Sequence, residues 1–286
     1  MDLFHEAVGI AVRNADPRVK KWTLMGSPVP VGTLIVLYVC FSKIWGPNLM
    51  RLRKPFAILP LIRAHNACMV VFNVIFIVTF SKLSYSGGGY NYFCQGPDYT
   101  SRGLPVLKMA WWYLLVKILD LTDTLAFVLT KKFDHVSTLH VFHHSAVVGT
   151  MWVTVNYGVL GQNVFVIILN SYVHVVMYSY YFLTTLGPMV RPHLWWKKYL
   201  TQLQMAQLAA FVLHGSIPLF VDCGFPLWMA LLTVTEPVVL LVMFYKFYLK
   251  SYRQKSHIAT GKIAKDEAHF VCSYRPYEDP LKTRTK

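Results

Sequence analysis

Runs of apolar residues long enough to cross a bilayer recur along almost the whole chain. A helix crosses the hydrocarbon with about 20 mainly apolar residues. Seven stretches qualify: 29–46, 64–82, 106–130, 136–155, 163–186, 199–220 and 226–249. In lipid each backbone N–H and C=O must find its partner inside the segment. The expected fold class is therefore all-α, a polytopic bundle of seven transmembrane helices. Composition agrees: of 286 residues, 55% are hydrophobic and only 14% are charged. A soluble domain averages about 25% charged residues. These values exclude a disordered chain and argue against a soluble globule.

Charge placement sets the orientation. Lys and Arg total 28 against 13 Asp and Glu, a formal charge of +15. The excess lies at span ends and in the tail rather than along one amphipathic face, so nucleic acid is not the expected partner. Arg51, Arg53, Lys54 and Arg63 follow the first span, Lys131 and Lys132 the third, and Arg191, Lys197 and Lys198 the fifth. Lys250, Arg253, Lys255, Lys262 and Lys265 follow the seventh, whereas loops 156–162 and 221–225 have neither Lys nor Arg. The positive-inside rule then gives a non-cytosolic segment 1–28, a membrane domain 29–249 and a cytosolic basic tail 250–286. The first 30 residues lack a signal peptide's apolar core and cleavage site.

Five cysteines occur, Cys40, Cys68, Cys94, Cys223 and Cys272, with no CxxC pair. A zinc ribbon or redox motif is thus unsupported. The topology puts Cys94 and Cys223 in loops on one non-cytosolic, oxidising side. A disulfide between them is the expectation, with two free thiols the alternative.

Polar groups inside spans are costly and usually face a bundle interior. Here they recur in four consecutive spans. Lys117, Asp120 and Asp123 follow one another at i+3 in the third, which puts neighbours on one helical face. His140-Val-Phe-His143-His144 opens the fourth, and positions i, i+3 and i+4 converge three imidazoles. Asn170, His174 and Tyr178 form an i, i+4, i+8 stripe in the fifth, next to Tyr180 and Tyr181. Trp195, Trp196, Lys197 and Lys198 precede Thr201, Gln204, Gln207 and His214 in the sixth. Each has a plainer reading: a structural ion pair for Lys117 and Asp120, a hydrogen-bonded core histidine, an interfacial aromatic belt, an interfacial lysine anchor. Three histidines together resist the packing explanation. Helical rise places His143 and Asp123 about 10 Å and Gln204 about 8 Å inside the cytosolic edge. One chamber in that half can hold them, with Lys131, Lys132, Lys197 and Lys198 around its mouth. An apolar chamber with imidazoles and a cationic mouth suits an acyl-CoA. Glu236, before Pro237 in the seventh span, has no assigned role.

At these residues the chain resembles the very-long-chain fatty acid elongases, the condensing enzymes of microsomal chain elongation. The matching segments fall in the family's order: Arg53-Lys54-Pro55-Phe56, Lys117 to Lys132, Leu139 to His144, Asn170 to Tyr181, and Trp195 to Gln207. The resemblance implies seven spans around an acyl-CoA tunnel in the endoplasmic reticulum membrane, and a 3-oxoacyl-CoA synthase. A long acyl-CoA and malonyl-CoA would give 3-oxoacyl-CoA, CO₂ and CoA, with no cofactor or metal. It implies His143 as nucleophile, by match to the second His of the box. It also assigns Lys117, Lys132, Asn170, Tyr180, Lys197, Thr201 and Gln204 to the CoA path. Partners would be lipids and the reductases and dehydratase of the cycle; homo-oligomerisation is left open. Two positions depart from the family: Asp120 where Glu is common, and Thr130 where Arg is common, which removes a phosphate contact.

Neutral imidazole attacks thioesters to give an acyl-imidazole. His144 or His140 would set the tautomer of His143, and Asp120 or Asp123 would orient an imidazole. Asn170, His174 and Tyr178 are the expected oxyanion donors. The main rival is a membrane di-iron desaturase or hydroxylase, which also uses HxxHH. It needs several such boxes, and this chain has one plus the separated His65, His174 and His214. A second rival is a seven-span receptor or transporter. The Lys282-Thr-Arg284-Thr-Lys286 end resembles a dibasic retrieval signal.

Overall fold

The computed structural model describes residues 2–253. Lys255, Lys262, Lys265, Cys272 and the Lys282 to Lys286 signal lie outside the described residues. Helices dominate and no strand occurs among the described residues: α1 (Asp2–Arg13), α2 (Pro28–Cys40), α3 (Gly46–Met50), α4 (Leu59–Ser81), α5 (Leu104–Leu119), α6 (Leu121–Leu129), α7 (Thr138–Asn156), α8 (Asn163–Thr184), α9 (Lys197–Ser216) and α10 (Leu227–Tyr248). The fold is all-α.

Local chemistry sets the boundaries. The Ser27 hydroxyl accepts from the Val29 amide at 3.3 Å and Pro28 is pre-set for a first helical turn, so α2 starts there. A π-helical turn, Phe41–Trp45, links α2 to α3 without a break in the helical path. Gly46 stands where α3 crosses α6: a Cβ there would lie 2.7 Å from Val128 Cγ1. Ser137 caps α7, its hydroxyl accepting from the His140 amide at 3.1 Å. The stretch 106–130, expected as one helix, is divided at Asp120, which ends α5 and starts α6. Lys131 then takes a left-handed φ of 58°, and the chain turns so that the Lys132 amide reaches the Phe127 carbonyl at 2.8 Å.

The packing order closes on itself. Helix α4 packs on α8, α8 on α9, α9 on α10, α10 on α7, α7 on α5, and α5 on α4, with α2 against α7. Six helical stretches thus form a ring and α2 lies beside it. Four stretches are long and apolar enough to cross a membrane: Pro28–Met50, Leu59–Ser86, Asn163–Thr184 and Leu227–Tyr252. The other three expected spans do not reach that mark, for a physical reason. The third is broken at Asp120, and α7 and α9 spend positions on His, Gln and Lys. Polar residues lower the hydropathy of these helices even where, as at His144 and Gln207, they are buried inside the bundle. Outward side chains such as Val36, Val71, Leu213 and Leu231 are exposed.

One end of the ring is fastened. A disulfide joins Cys94, in the loop before α5, to Cys223, in the loop before α10. Beside it the buried Gln162 side chain donates to the Phe93 carbonyl at 2.8 Å and the His214 carbonyl at 2.9 Å, and accepts from the Gln95 amide at 3.0 Å. The His214 ring stacks on Phe165 at 3.9 Å, so this histidine belongs to the fastening. Residues 14–27 lie across the same end. The Trp152 indole donates to the Leu24 carbonyl (2.8 Å), the Trp111 indole to the Thr23 carbonyl (3.0 Å), and Arg18 Nη1 to the carbonyls of Asp98 and Thr100 (each 3.2 Å). Cys40 and Cys68 are free thiols. Replacing Cys94 and Cys223 by serine releases a link spanning 129 residues. The expected loss is about 2–4 kcal/mol, read as an earlier thermal transition in detergent that added reductant no longer shifts.

Candidate active site

The Ser137 cap fixes the start of α7, so His140, His143 and His144 leave its first two turns on one side. The His140 and His144 rings meet edge to face with centroids 4.4 Å apart, and those of His143 and His144 stand 5.3 Å apart. Phe244 of α10 presents its edge to His143 at 6.4 Å. His140 Nε2 is 2.8 Å from the Thr124 hydroxyl, which is itself 2.8 Å from the Tyr38 hydroxyl. This Thr124–Tyr38 pair orients the first ring of the box, whereas the sequence pointed to a carboxylate.

The second half of the site lies where α5 breaks. Lys117 and Asp120 are 2% and 1% exposed and paired at 2.9 Å. Lys117 Nζ also lies 3.1 Å from His174 Nδ1. An ammonium only donates, so Nδ1 accepts and the His174 hydrogen is assigned to Nε2. The Tyr113 hydroxyl donates to Asn170 Oδ1 at 2.6 Å, which leaves the amide nitrogen as the donor end of Asn170. Asn170 and His174, one turn apart on α8, thus each keep an N–H to offer. The Tyr178 hydroxyl instead donates to Asp123 Oδ2 at 2.8 Å. In this geometry the hydroxyl of Tyr178, expected as an oxyanion donor, points its proton at a carboxylate. His174 and the box are near enough to interact electrostatically, with His143 and His144 both coupled to it. Preorganised N–H donors beside a nucleophilic imidazole in an apolar surround are the parts that acyl transfer requires.

The basic end is cationic. Lys132 and Lys197 both act electrostatically on His135, which lies in the turn between α6 and α7. Lys131 Nζ reaches the Arg51 carbonyl at 3.3 Å, and Lys43 Nζ the Val136 carbonyl at 2.7 Å. A groove lined by Asn48, Arg51 and Arg53 opens beside α3, away from the imidazoles.

Residues 23–260 match the GNS1/SUR4 family, ELO. The chain belongs to that family. It is 39% identical over 240 residues to a very long chain fatty acid elongase of Aedes aegypti, covering 83% of this chain and 67% of that protein. It is 37% identical over 253 residues to very long chain fatty acid elongase 4 of Homo sapiens, covering 87% and 80%. To elongase 5 of Mus musculus it is 31% identical over 280 residues, covering 94% and 92%.

In this GNS1/SUR4 chain the expected residues fall into separate groups. His140, His143 and His144 gather, as do Lys117, Asp120 and His174, while Asn170 is held by Tyr113. Asp120 Oδ2 is 3.9 Å from His174 Nδ1, and Asp123 Oδ1 is 3.0 Å from His65 Nε2, so the rings these carboxylates approach lie outside the box. Gln204 donates to the Met177 sulfur at 3.4 Å. Thr201 lies 3.4 Å from the Tyr252 hydroxyl, and Tyr180 packs edge-on to Trp196 at 4.9 Å, near the basic end. Tyr38, Tyr113, Thr124 and His65 carry no motif signal; only its i, i+4 spacing to Lys117 along α5 could have pointed to Tyr113. Glu236 accepts a hydrogen bond from the Thr150 hydroxyl and ties α10 to α7. Among the described residues no three His, Cys, Asp or Glu side chains are grouped to hold a metal ion.

Proposed function

We propose that this protein elongates very long chain fatty acids by condensing a long-chain acyl-CoA with malonyl-CoA, releasing CO₂ and CoA and leaving a 3-oxoacyl-CoA. Family membership supports the substrate class. The observation that carries the chemistry is the cluster of three imidazoles on α7, with His143 and His144 near enough to His174 on α8 to interact with it electrostatically. His143 is the nucleophile and receives the acyl group as an acyl-imidazole. His140 and His144 hold its orientation. Asn170 and His174 donate to the oxyanion, and the Lys117–Asp120 pair holds His174 in its tautomer. Tyr178 and Asp123 brace α6 against α8. Lys132, Lys197, Thr201, Gln204 and Tyr180 line the path of the CoA moiety, where lysine charge attracts phosphate.

On this reading the chain is an acyltransferase with seven spans in the endoplasmic reticulum membrane and a cytosolic C-terminus. It uses no cofactor beyond its two CoA substrates and hands its product to a reductase. The test is purified protein given labelled malonyl-CoA and a ladder of acyl-CoAs. Labelled 3-oxoacyl-CoA is the expected product; its absence with every chain length would overturn the reading. Two tightly bound irons in the same preparation would favour the desaturase alternative. Transport without malonyl-CoA consumption would favour a carrier.

The cationic mouth carries a pH signature. Burial first, then the charges of Lys197 and Lys132, hold the His135 pKa below the ordinary imidazole value. A phosphate bound there offsets the lysine charges and raises that pKa, so binding takes up a proton. By linkage CoA then binds more tightly as pH falls from about 7.5 to 6. His135→Gln should flatten this trend relative to the unaltered protein. Calorimetric Kd values for CoA at the two pH values check it, and the difference between the two proteins removes the titration of CoA's own phosphate.

A further inference from the structure

The condensation proposed above has a proton balance, and this inference rests on that reading. His143 attacks the thioester, the C–S bond breaks, and the imidazole proton leaves with sulfur as the CoA thiol. The malonyl C–CO₂ bond then breaks and the resulting enolate forms a C–C bond to the acyl carbon. The C–N bond breaks and imidazole is left as an anion. No proton is set free at any step, so one must arrive from the medium in each cycle. The acceptor sits among buried groups, and buried proton traffic runs along chains of ionisable side chains.

One such chain lies beside the site. The His65 and Asp123 side chains are each 15% accessible and approach to 3.0 Å, Nε2 to Oδ1. The two are in ion-pair contact, and the Asp123 carboxylate acts electrostatically on the His65 ring. Asp123 Oδ2 takes the hydroxyl hydrogen of Tyr178 at 2.8 Å, and Tyr178 is 0% exposed. Tyr178 also interacts with Asp120, whose Oδ1 is buried with no hydrogen-bond partner. Asp120 meets Lys117 at 2.9 Å, and Lys117 meets His174 at 3.1 Å. Four helical elements, α4, α6, α8 and α5, contribute to this path from the partly accessible His65 to the buried His174. Facing His65 are Asp123 and Asp120 from the α5–α6 break, Tyr178 from α8, and the uncharged Thr122 hydroxyl, 3.5 Å from its Nδ1.

We infer that His65 is the outer station of a proton-uptake path that runs through Asp123, Tyr178, Asp120 and Lys117 to the buried His174. His65 is a positioning and relay residue and touches no reacting atom. His65→Gln separates relay from support, because an amide can hydrogen-bond to Asp123 but cannot pass a proton on. The expected result is an unchanged amount and rate of CoA release from acyl-CoA alone, which needs no outside proton. Turnover with malonyl-CoA should fall by about 10²-fold, the scale of a lost general acid. Added free imidazole should restore most of it. Full turnover in His65→Gln would overturn the relay, as would equal loss of both half-reactions or failure of imidazole to restore the second. If the unaltered protein releases no CoA without malonyl-CoA, the acyl-imidazole fails instead, and the loss and rescue of turnover still decide the case for His65.

Discussion

His143→Ala protein, given a long-chain acyl-CoA, will form no covalent adduct and release no CoA, and its condensation rate will fall by about 10⁴-fold or more, as when a nucleophile is deleted. His143 is the box member with a neighbouring imidazole on one side and the edge of Phe244 on the other. His140 is held through Nε2 by Thr124, and His144 lies between the two other rings. Loss of His140 or His144 should therefore slow the reaction while leaving a detectable adduct. Intact-mass spectrometry after acyl-CoA alone reads the adduct directly. An adduct on His143→Ala, with none on His144→Ala, would exchange the two roles. An adduct on all three variants would remove the box from the covalent step altogether.

The second large effect concerns Lys117. Lys117→Ala should cost about 3–5 kcal/mol of stability, because it strands Asp120 as a buried charge without a partner. Lys117→Met combined with Asp120→Leu should recover most of that stability, since an apolar pair of similar size carries no desolvation cost. Yet the double variant should remain inactive: His174 loses the donor that fixes its Nδ1 as acceptor, and with it the Nε2–H offered to the oxyanion. Thermal unfolding in detergent and malonyl-CoA turnover, measured on the same preparations, separate the two roles. Full turnover in the refolded double variant would show that the tautomer of His174 does not matter.

Much of this was legible before any coordinates. Helical periodicity brings His140, His143 and His144 together because the three lie on one uninterrupted, well-capped helix. Lys117 and Asp120 pair for a similar reason. Asp123 did not follow its i+3 neighbour, because the backbone is interrupted at Asp120 and α6 points it toward α4 and α8. Contacts between helices were closed to the sequence: nothing in the spacing of Tyr113 and Asn170, 57 positions apart, shows that one phenol fixes the other's amide. Hydropathy scores inward-facing His and Lys as if lipid surrounded them, which lowers the mark of the remaining three expected spans. Four stretches pass that measure, and the rest of the ring is legible only from its packing.

The fastened end gives the bundle a mechanical character. Among the described residues the one covalent cross-link, the Gln162 bonds and the strap of residues 14–27 all sit at the same pole. Helices pinned at one pole move like the staves of a bucket with a nailed base, so large excursions belong to the lysine-bearing rim. Under the condensation proposed above, the nucleotide of CoA enters at that rim and the fatty tail runs toward the pinned pole.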